Sequence, residues 1–220
     1  MAYKKGDAAG RLRPGHSIRA RFYSRTAAAA MAISVLAFTA LLAAVGILRL
    51  CELGLSAHHQ KRLLTMGIRR IPEPDFIWMV LVHAAVLLCS VLEVVLLKRP
   101  FIPMLAAFMI SLFLAATIVR FWVIHTLKTL WTVRVMNSIQ LRVVADGPFR
   151  FVRHPNYTAV FVELLALPLI HAAWITALVG GAAHIWVLLR RLAVEEPVLM
   201  KNRLYVEVMA HKPRFVPGLF

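Results

Sequence analysis

The sequence predicts an all-α integral membrane protein with about five transmembrane helices, the last two forming a hairpin. Three observations carry this. Hydrophobic residues make up 60% of the 220 and the mean hydropathy is +0.73, whereas soluble domains are about 45–50% apolar. The excess is gathered in long uncharged runs. Basic residues crowd the ends of those runs, and the formal net charge is +16, the pattern of anchors facing anionic headgroups.

Residues 1–25 are polar and basic, with glycines and Pro14 between the arginines. They read as a tail, with a short interfacial helix over 17–25 as an option, because Ile18, Phe22 and Tyr23 alternate with arginines. Thr26 to Leu48 carries no charge. At about 1.5 Å per residue it reaches roughly 34 Å, enough for a hydrocarbon core of about 30 Å. It lacks a small-residue cleavage site and so reads as a first span, not a removed signal. Residues 49–75 are mixed and charged and close on Pro72-Glu73-Pro74, a stop-and-start signal for helices.

The second span runs from Phe76 to Leu97 and contains His83 and Glu93. Lys98-Arg99-Pro100 is a turn. The third begins at Phe101, reaches Val119 and continues past Arg120 to His125. A polar connector, 126–155, follows. The fourth span, Asn156 to Ile170, is short and holds Glu163; His171 to Ala173 turns the chain into the fifth, Trp174 to Leu189. The tail from Arg190 is charged. Three regions suggest themselves: the tail 1–25, the first three spans 26–125, and 126–220 as a functional core.

With five spans, the segments 49–75 and 120–155 and the tail from Arg190 share one side. Together they hold more Lys and Arg than residues 1–25 and Lys98-Arg99 combined. The bias puts the connector and C-terminal tail in the cytoplasm, and the basic N-terminal tail argues the other way. The same distribution favours a membrane surface over nucleic acid as the partner of the positive charge. Cys51 and Cys89 make no CxxC, and no Cys/His spacing suits a structural metal. No GxGxxG, P-loop or HExxH is present.

Three constellations could carry chemistry. Arg153-His154-Pro155-Asn156-Tyr157 opens the fourth span, with Pro155 suited to the first helical position. It is either a polar cap with interfacial anchors or a wall whose free N–H groups hold an anionic ligand. Arg191 and Glu195 stand at i, i+4 and can pair. Alone that is a weak surface pair, but the hairpin brings it beside the Arg153–Tyr157 motif. Glu93 and Glu163 lie at bilayer depth, where a charge costs about 2.5–3.5 kcal/mol on insertion scales and marks function, unless either simply pairs with Arg120 or His83. The other histidines, His184 among them, read as ordinary core or surface residues.

Taken together, Gly147-Pro148-Phe149-Arg150, then Arg153-His154-Pro155-Asn156-Tyr157, a helical hairpin, Arg191-Leu192-x-x-Glu195-Glu196 and Lys212-Pro213-Arg214-Phe215-Val216-Pro217 resemble the isoprenylcysteine carboxyl methyltransferase family. Asn156-Tyr157 with Glu163 and Leu167-Pro168-Leu169-Ile170-His171 is more similar to a bacterial branch found beside type III polyketide synthases, whose members look like O-methyltransferases for alkylresorcinols and alkylpyrones. Three positions depart from the family pattern: Ala159 for a glycine, Phe149 for a tyrosine, and Leu127-Lys128 for Leu-Gly.

The resemblance implies S-adenosylmethionine in a cytosol-facing pocket at a bacterial inner membrane. It implies Gly147, His154, Pro155, Tyr157, Glu196 and Tyr205 as cofactor residues, and Arg191 and Glu195 beside the reacting groups. Glu163 or Glu195 would be the base for a phenol or enol. A carboxylate acceptor, such as a prenylated cysteine, would instead need orientation by Arg191. A membrane transport or assembly protein without catalysis is the rival class.

Overall fold

In the computed structural model, residues 14–137, 139 and 141–216 are described, with side chains described from residue 29 onward. Among these residues six α-helices follow one another: α1 (Pro14–Thr65), α2 (Phe76–Leu96), α3 (Pro103–Leu127), α4 (Pro155–Leu169), α5 (Trp174–Leu199) and α6 (Arg203–Met209). Two short 3-10 turns, Lys128–Leu130 and Gly147–Arg150, bracket the connector. Residues 1–13 of the expected basic tail lie outside the described residues. The interfacial segment expected over 17–25 falls on the backbone of α1.

Among the described residues, four helical stretches are long and apolar enough to cross a membrane: Ala29–Thr65, Phe76–Leu96, Pro103–Leu130 and Trp174–Leu199. The fifth expected span is α4. Its 15 residues reach about 22 Å, short of a full core of about 30 Å. It is the most enclosed helix, with Ala159, Val160, Leu164, Ala166 and Leu167 buried between α3 and α5.

The first span was expected to end at Leu48, before a charged loop. Instead α1 runs on to Thr65 in a single 52-residue helix. The reason is directional. Glu52, Ser56, His59 and Leu63 are buried on one face, while Cys51, Leu53 and Leu55 on the other are exposed. Arg49 and Glu52 find partners inside the protein, so they do not break the helix, and Lys61 and Arg62 stay exposed near its end. The fifth span likewise extends from the expected Leu189 to Leu199. Gly67, at φ 80°, ends the run after α1, and the N–H of Ile68 bonds back to Leu63 O at 3.1 Å, a left-handed stop.

The loop after α1 is stitched to the connector. Ile71 N donates to Val135 O and Asn137 N to Arg69 O, both at 2.9 Å. Glu73 Oε1 accepts from Val135 N at 2.7 Å. At the opposite end, the Glu93 carboxylate caps α5. It accepts from Ile175 N at 3.1 Å and from Thr176 N and Oγ1 at 2.7 and 2.8 Å, and it pairs with Arg99 at 2.8 Å. The intramembrane Glu93 therefore satisfies the orphan donors of a helix start and partners neither Arg120 nor His83.

The Gly147–Arg150 turn sits hard against α3. Gly147 has φ 58°, and a Cβ there would come 2.6 Å from Thr126 Oγ1 and 3.0 Å from Trp122 Nε1. Gly67 shares the left-handed backbone but has nothing within 4 Å. Gly67→Ala is therefore expected to cost about 1 kcal/mol of backbone strain. Gly147→Ala is expected to cost about 2–4 kcal/mol, because overpacking is added. Thermal unfolding of the two variants in the same detergent checks the order.

Candidate functional site

A cavity of about 550 Å³ opens where α1, α2, α4, α5 and the connector converge, within the usual ligand-pocket range of roughly 300–1,000 Å³. One end is polar, walled by Arg153, Asn156, Tyr157, Arg191, Glu195 and Tyr205. The other is apolar and lies between α1, α2 and α5, with Gly46, Leu50, Val80, Ala84, Leu87 and Leu188 on its walls.

The polar end is built around the start of α4. Pro155 fills its first turn, where a missing N–H removes nothing. The preceding residues are held by the C-terminal tail. Arg153 N donates to Pro213 O and His154 N to Arg214 O, both at 2.9 Å. Thr158 Oγ1 donates to Phe215 O at 3.0 Å, and Lys212 Nζ donates to Phe149 O at 2.9 Å. Glu196 locks this strap. It accepts from Arg214 Nε and Nη2 at 2.9 and 2.6 Å and lies 3.3 Å from both Arg153 Nη1 and His154 Nε2.

Burial holds the His154 imidazole below the ordinary histidine range, against the nearby charges of Glu195 and Glu196, which raise it. The ring is therefore neutral at pH 7, with its hydrogen on the nitrogen facing Glu196. Burial pushes the Tyr205 phenol up to about 12. Tyr205 Oη, Asn156 Oδ1 and Arg153 Nε are buried without a protein partner. Such orphans are uncommon in a folded protein. On a cavity wall, they are donors and acceptors left over for a ligand.

Tyr157, Arg191 and Glu195 form one unit across the α4–α5 hairpin. Arg191 Nε donates to Tyr157 Oη at 2.6 Å, and Tyr157 Oη donates to Glu195 Oε2. Arg191 Nε is 3.8 Å from Glu195 Oε2, and Nη1 is 3.2 Å from Glu73 Oε2 and 3.6 Å from Met79 Sδ. The hydroxyl thus bridges cation and carboxylate. Among the described residues, the hydrogen bonds of Arg191 run from Nε and Nη1.

A second charged group, on α1 and α3, interrupts the otherwise apolar lining. Arg49 pairs with Glu52 at 2.7 Å and with Glu163 at 2.8 Å. Arg120 Nε donates to Glu52 Oε1 at 3.0 Å, with a second bond from Nη2 to Glu52 Oε2, and Nη1 lies 3.4 Å from Glu163. Thr117 Oγ1 donates to Glu163 Oε1 at 2.9 Å. Arg49, Glu52 and Arg120 line the cavity. Glu163 lies behind them, 2% exposed, with both oxygens engaged. Its pairing with Arg120 was one of the two readings left open by the sequence.

His154, Pro155, Tyr157, Arg191, Glu195 and Tyr205 all border the cavity. The other three candidates do not. Gly147 is pressed against Trp122 and Thr126, Glu196 is spent on the C-terminal strap, and Glu163 on two arginines. Sequence reasoning did not place Arg49 or Glu52 at the site, and it offered Arg120 only as a partner for a buried glutamate. The available signal was an arginine inside an apolar run, and a second arginine three residues before a glutamate at the end of another. It offered His83 only as a partner for a buried glutamate and read His184 as an ordinary core or surface residue, whereas both sit on the cavity wall.

Comparison with known proteins bears on the same region. Residues 109–201, from α3 through the connector and hairpin, match the model of the isoprenylcysteine carboxyl methyltransferase (ICMT) family. The uncharacterized protein YpbQ of Bacillus subtilis (strain 168) is 24% identical over 165 residues, which cover 74% of this chain and 97% of that protein. An uncharacterized protein of Haemophilus influenzae is 27% identical over 153 residues, 69% of this chain and 88% of the relative. The family match spans the walls contributed by α3, α4 and α5 and leaves α1 and α2 outside.

The two carboxylates at the cavity differ in what they support. Glu163→Ala leaves Arg49 and Arg120 short of a counter-charge and is expected to cost about 3–5 kcal/mol. Glu195→Gln, at a side chain 25% exposed, is expected to cost under about 1 kcal/mol. Unfolding midpoints in detergent separate them.

Proposed function

We propose that the protein is an integral membrane methyltransferase that uses S-adenosylmethionine to O-methylate a lipidic acceptor, a phenol or enol of the alkylresorcinol or alkylpyrone kind. The observation that carries this is the cavity itself, one space with a polar end at the start of α4 and an apolar end between helices long enough to cross a membrane. Such a shape suits a water-borne cofactor meeting an acceptor whose tail stays in lipid. The match of residues 109–201 to a methyltransferase family supports the same reading. The excess of basic residues around the connector and C-terminal tail supports a cytoplasmic face of the plasma membrane.

The residues fit the cofactor. Arg153, His154, Pro155, Asn156, Tyr157 and Tyr205 form a wall with three unsatisfied polar atoms, Arg153 Nε, Asn156 Oδ1 and Tyr205 Oη. These match the needs of a ligand that carries a carboxylate, an ammonium and hydroxyls. S-adenosylmethionine supplies an electrophilic methyl group on a sulfonium. The protein's own contribution is positioning, which can account for much of a displacement's acceleration.

Arg191, fixed by Tyr157, Glu73 and Met79, offers Nη2 to an acceptor oxygen. Glu195, held by the Tyr157 hydroxyl, is the carboxylate placed to draw a proton from a phenol. Glu163 acts one step back, holding Arg49 and Arg120 in the wall, and Glu196 and Gly147 shape the motif without lining the cavity. Methylation of a prenylated cysteine carboxylate is the second reading, favoured by the description of the matching family. It would use Arg191 and need no base.

Purified protein in detergent is expected to bind S-adenosylhomocysteine saturably. Absence of binding at high micromolar ligand would favour a transport or assembly role. Arg191→Lys, which loses the planar fork, is expected to retain that binding while methyl transfer to a lipid panel falls about 10²-fold. Mass spectrometry of the methylated product chooses between phenol and carboxylate.

A further inference from the structure

The apolar half of the cavity is not uniformly apolar. His83 of α2 and His184 of α5 meet on its wall, their rings edge to face with centroids 5.4 Å apart. Phe161 of α4 stacks on His184 at 6.1 Å. His83 lies four residues beyond Met79, the residue that touches Arg191, and so about 6 Å further along the helix from the charged centre. Two imidazoles at bilayer depth are costly and usually mark a site.

Their hydrogen bonding is unequal. His83 Nδ1 is 2.6 Å from Met79 O. A carbonyl oxygen only accepts, so Nδ1 carries the hydrogen, and in the neutral ring Nε2 is a bare acceptor. No group among the described residues donates to it. His184 is 5% exposed, and both of its nitrogens are buried without a partner. The pair therefore faces the cavity as a fixed acceptor backed by an unsatisfied imidazole.

We infer that His83 and His184 form a recognition subsite for a lipid that carries a phenolic or alcoholic O–H, with the hydroxyl donating to His83 Nε2. The reason is polarity matching. An O–H brings the donor that Nε2 lacks, and the surrounding Val80, Ala84 and Leu87 receive the hydrocarbon beside it. A carboxylate brings only lone pairs to a lone pair and is disfavoured there. The subsite thus selects the acceptor class, phenol over carboxylate. As a statement about catalysis, it rests on the methyl-transfer reading; as a statement about binding, it does not.

The test uses full-length protein in detergent, a long-chain 5-alkylresorcinol, and its bis-methyl ether, which has the same tail and no O–H. Titration calorimetry of both lipids is run on the wild type, His83→Phe and His83→Gln, with S-adenosylhomocysteine binding measured on each preparation. The wild type is expected to prefer the resorcinol by about tenfold, the size of one hydrogen bond. His83→Phe, which keeps ring volume but has no acceptor, is expected to weaken resorcinol binding about tenfold and leave ether binding unchanged, and His83→Gln, which restores an acceptor oxygen, to recover part of the loss.

A wild type that binds the two lipids equally, or binds neither, overturns the inference. So does a His83→Phe variant that retains the preference. The wild-type comparison decides even where a variant fails to fold. Intact S-adenosylhomocysteine binding with no lipid preference sinks the subsite alone. Loss of that binding in the wild type sinks the methyltransferase reading and leaves the lipid comparison standing.

Discussion

The structure depends on one constraint: charges carried into an apolar layer must be paired there. Arg49, Glu52, Arg120 and Glu163 meet this by joining α1, α3 and α4 in a closed set of two cations and two anions. Packing among lipid-facing helices is weakly directional, because tails and leucines are equally apolar. An ionic junction is directional. It fixes the rotation of α1 about its axis and the depth of α4 beside α3, and so sets the width of the cavity that those helices enclose. Its contribution is better read as specificity of arrangement than as net stability, since desolvation offsets much of the attraction between buried partners.

The polar end is organised differently. It is short-range and held by backbone. The α4 motif is gripped by carbonyls of residues 213–215, and the loop between α1 and α2 is pinned to the connector by backbone bonds and by Glu73. Glu73 also reaches Arg191. The loop of the N-terminal half therefore contacts the charged centre directly, and a methyl-transfer centre built this way would draw on both halves of the chain. Rigid support of a few positioned groups is what a displacement with little covalent chemistry requires.

Much of the fold was legible because hydropathy is a coarse and strong signal. The limits of α2, α3 and α4 fall within a few residues of the apolar runs. The ends of α1 and α5 were not legible, because the sequence shows that Arg49, Glu52, Arg191 and Glu195 are charged and not which way they face. A charge aimed at a partner continues a helix, whereas a charge aimed at lipid ends it. The α4–α5 hairpin made the meeting of Tyr157 with Arg191 and Glu195 readable. Of the ring of Arg49, Arg120 and Glu163, only the Arg120–Glu163 pairing was open to reading; Arg49 lies 114 positions from Glu163, and only tertiary packing brings them together. The meeting of His83 with His184 was unreadable for the same reason: each alone resembles a single polar residue in a core.

The Arg49–Glu52 contact has a consequence for how such a chain enters a bilayer. The ribosome delivers α1 long before Arg120 and Glu163 exist, so their attraction is absent when that helix first leaves the translocon. Spaced three apart on one turn, Arg49 and Glu52 can neutralise each other from the outset. The nascent helix then carries a polar spot without net charge, a far smaller barrier to lateral release than a lone arginine. When α3 and α4 arrive, Arg120 and Glu163 join this pair without displacing it, and Arg49 and Glu52 remain in contact at 2.7 Å in the finished wall.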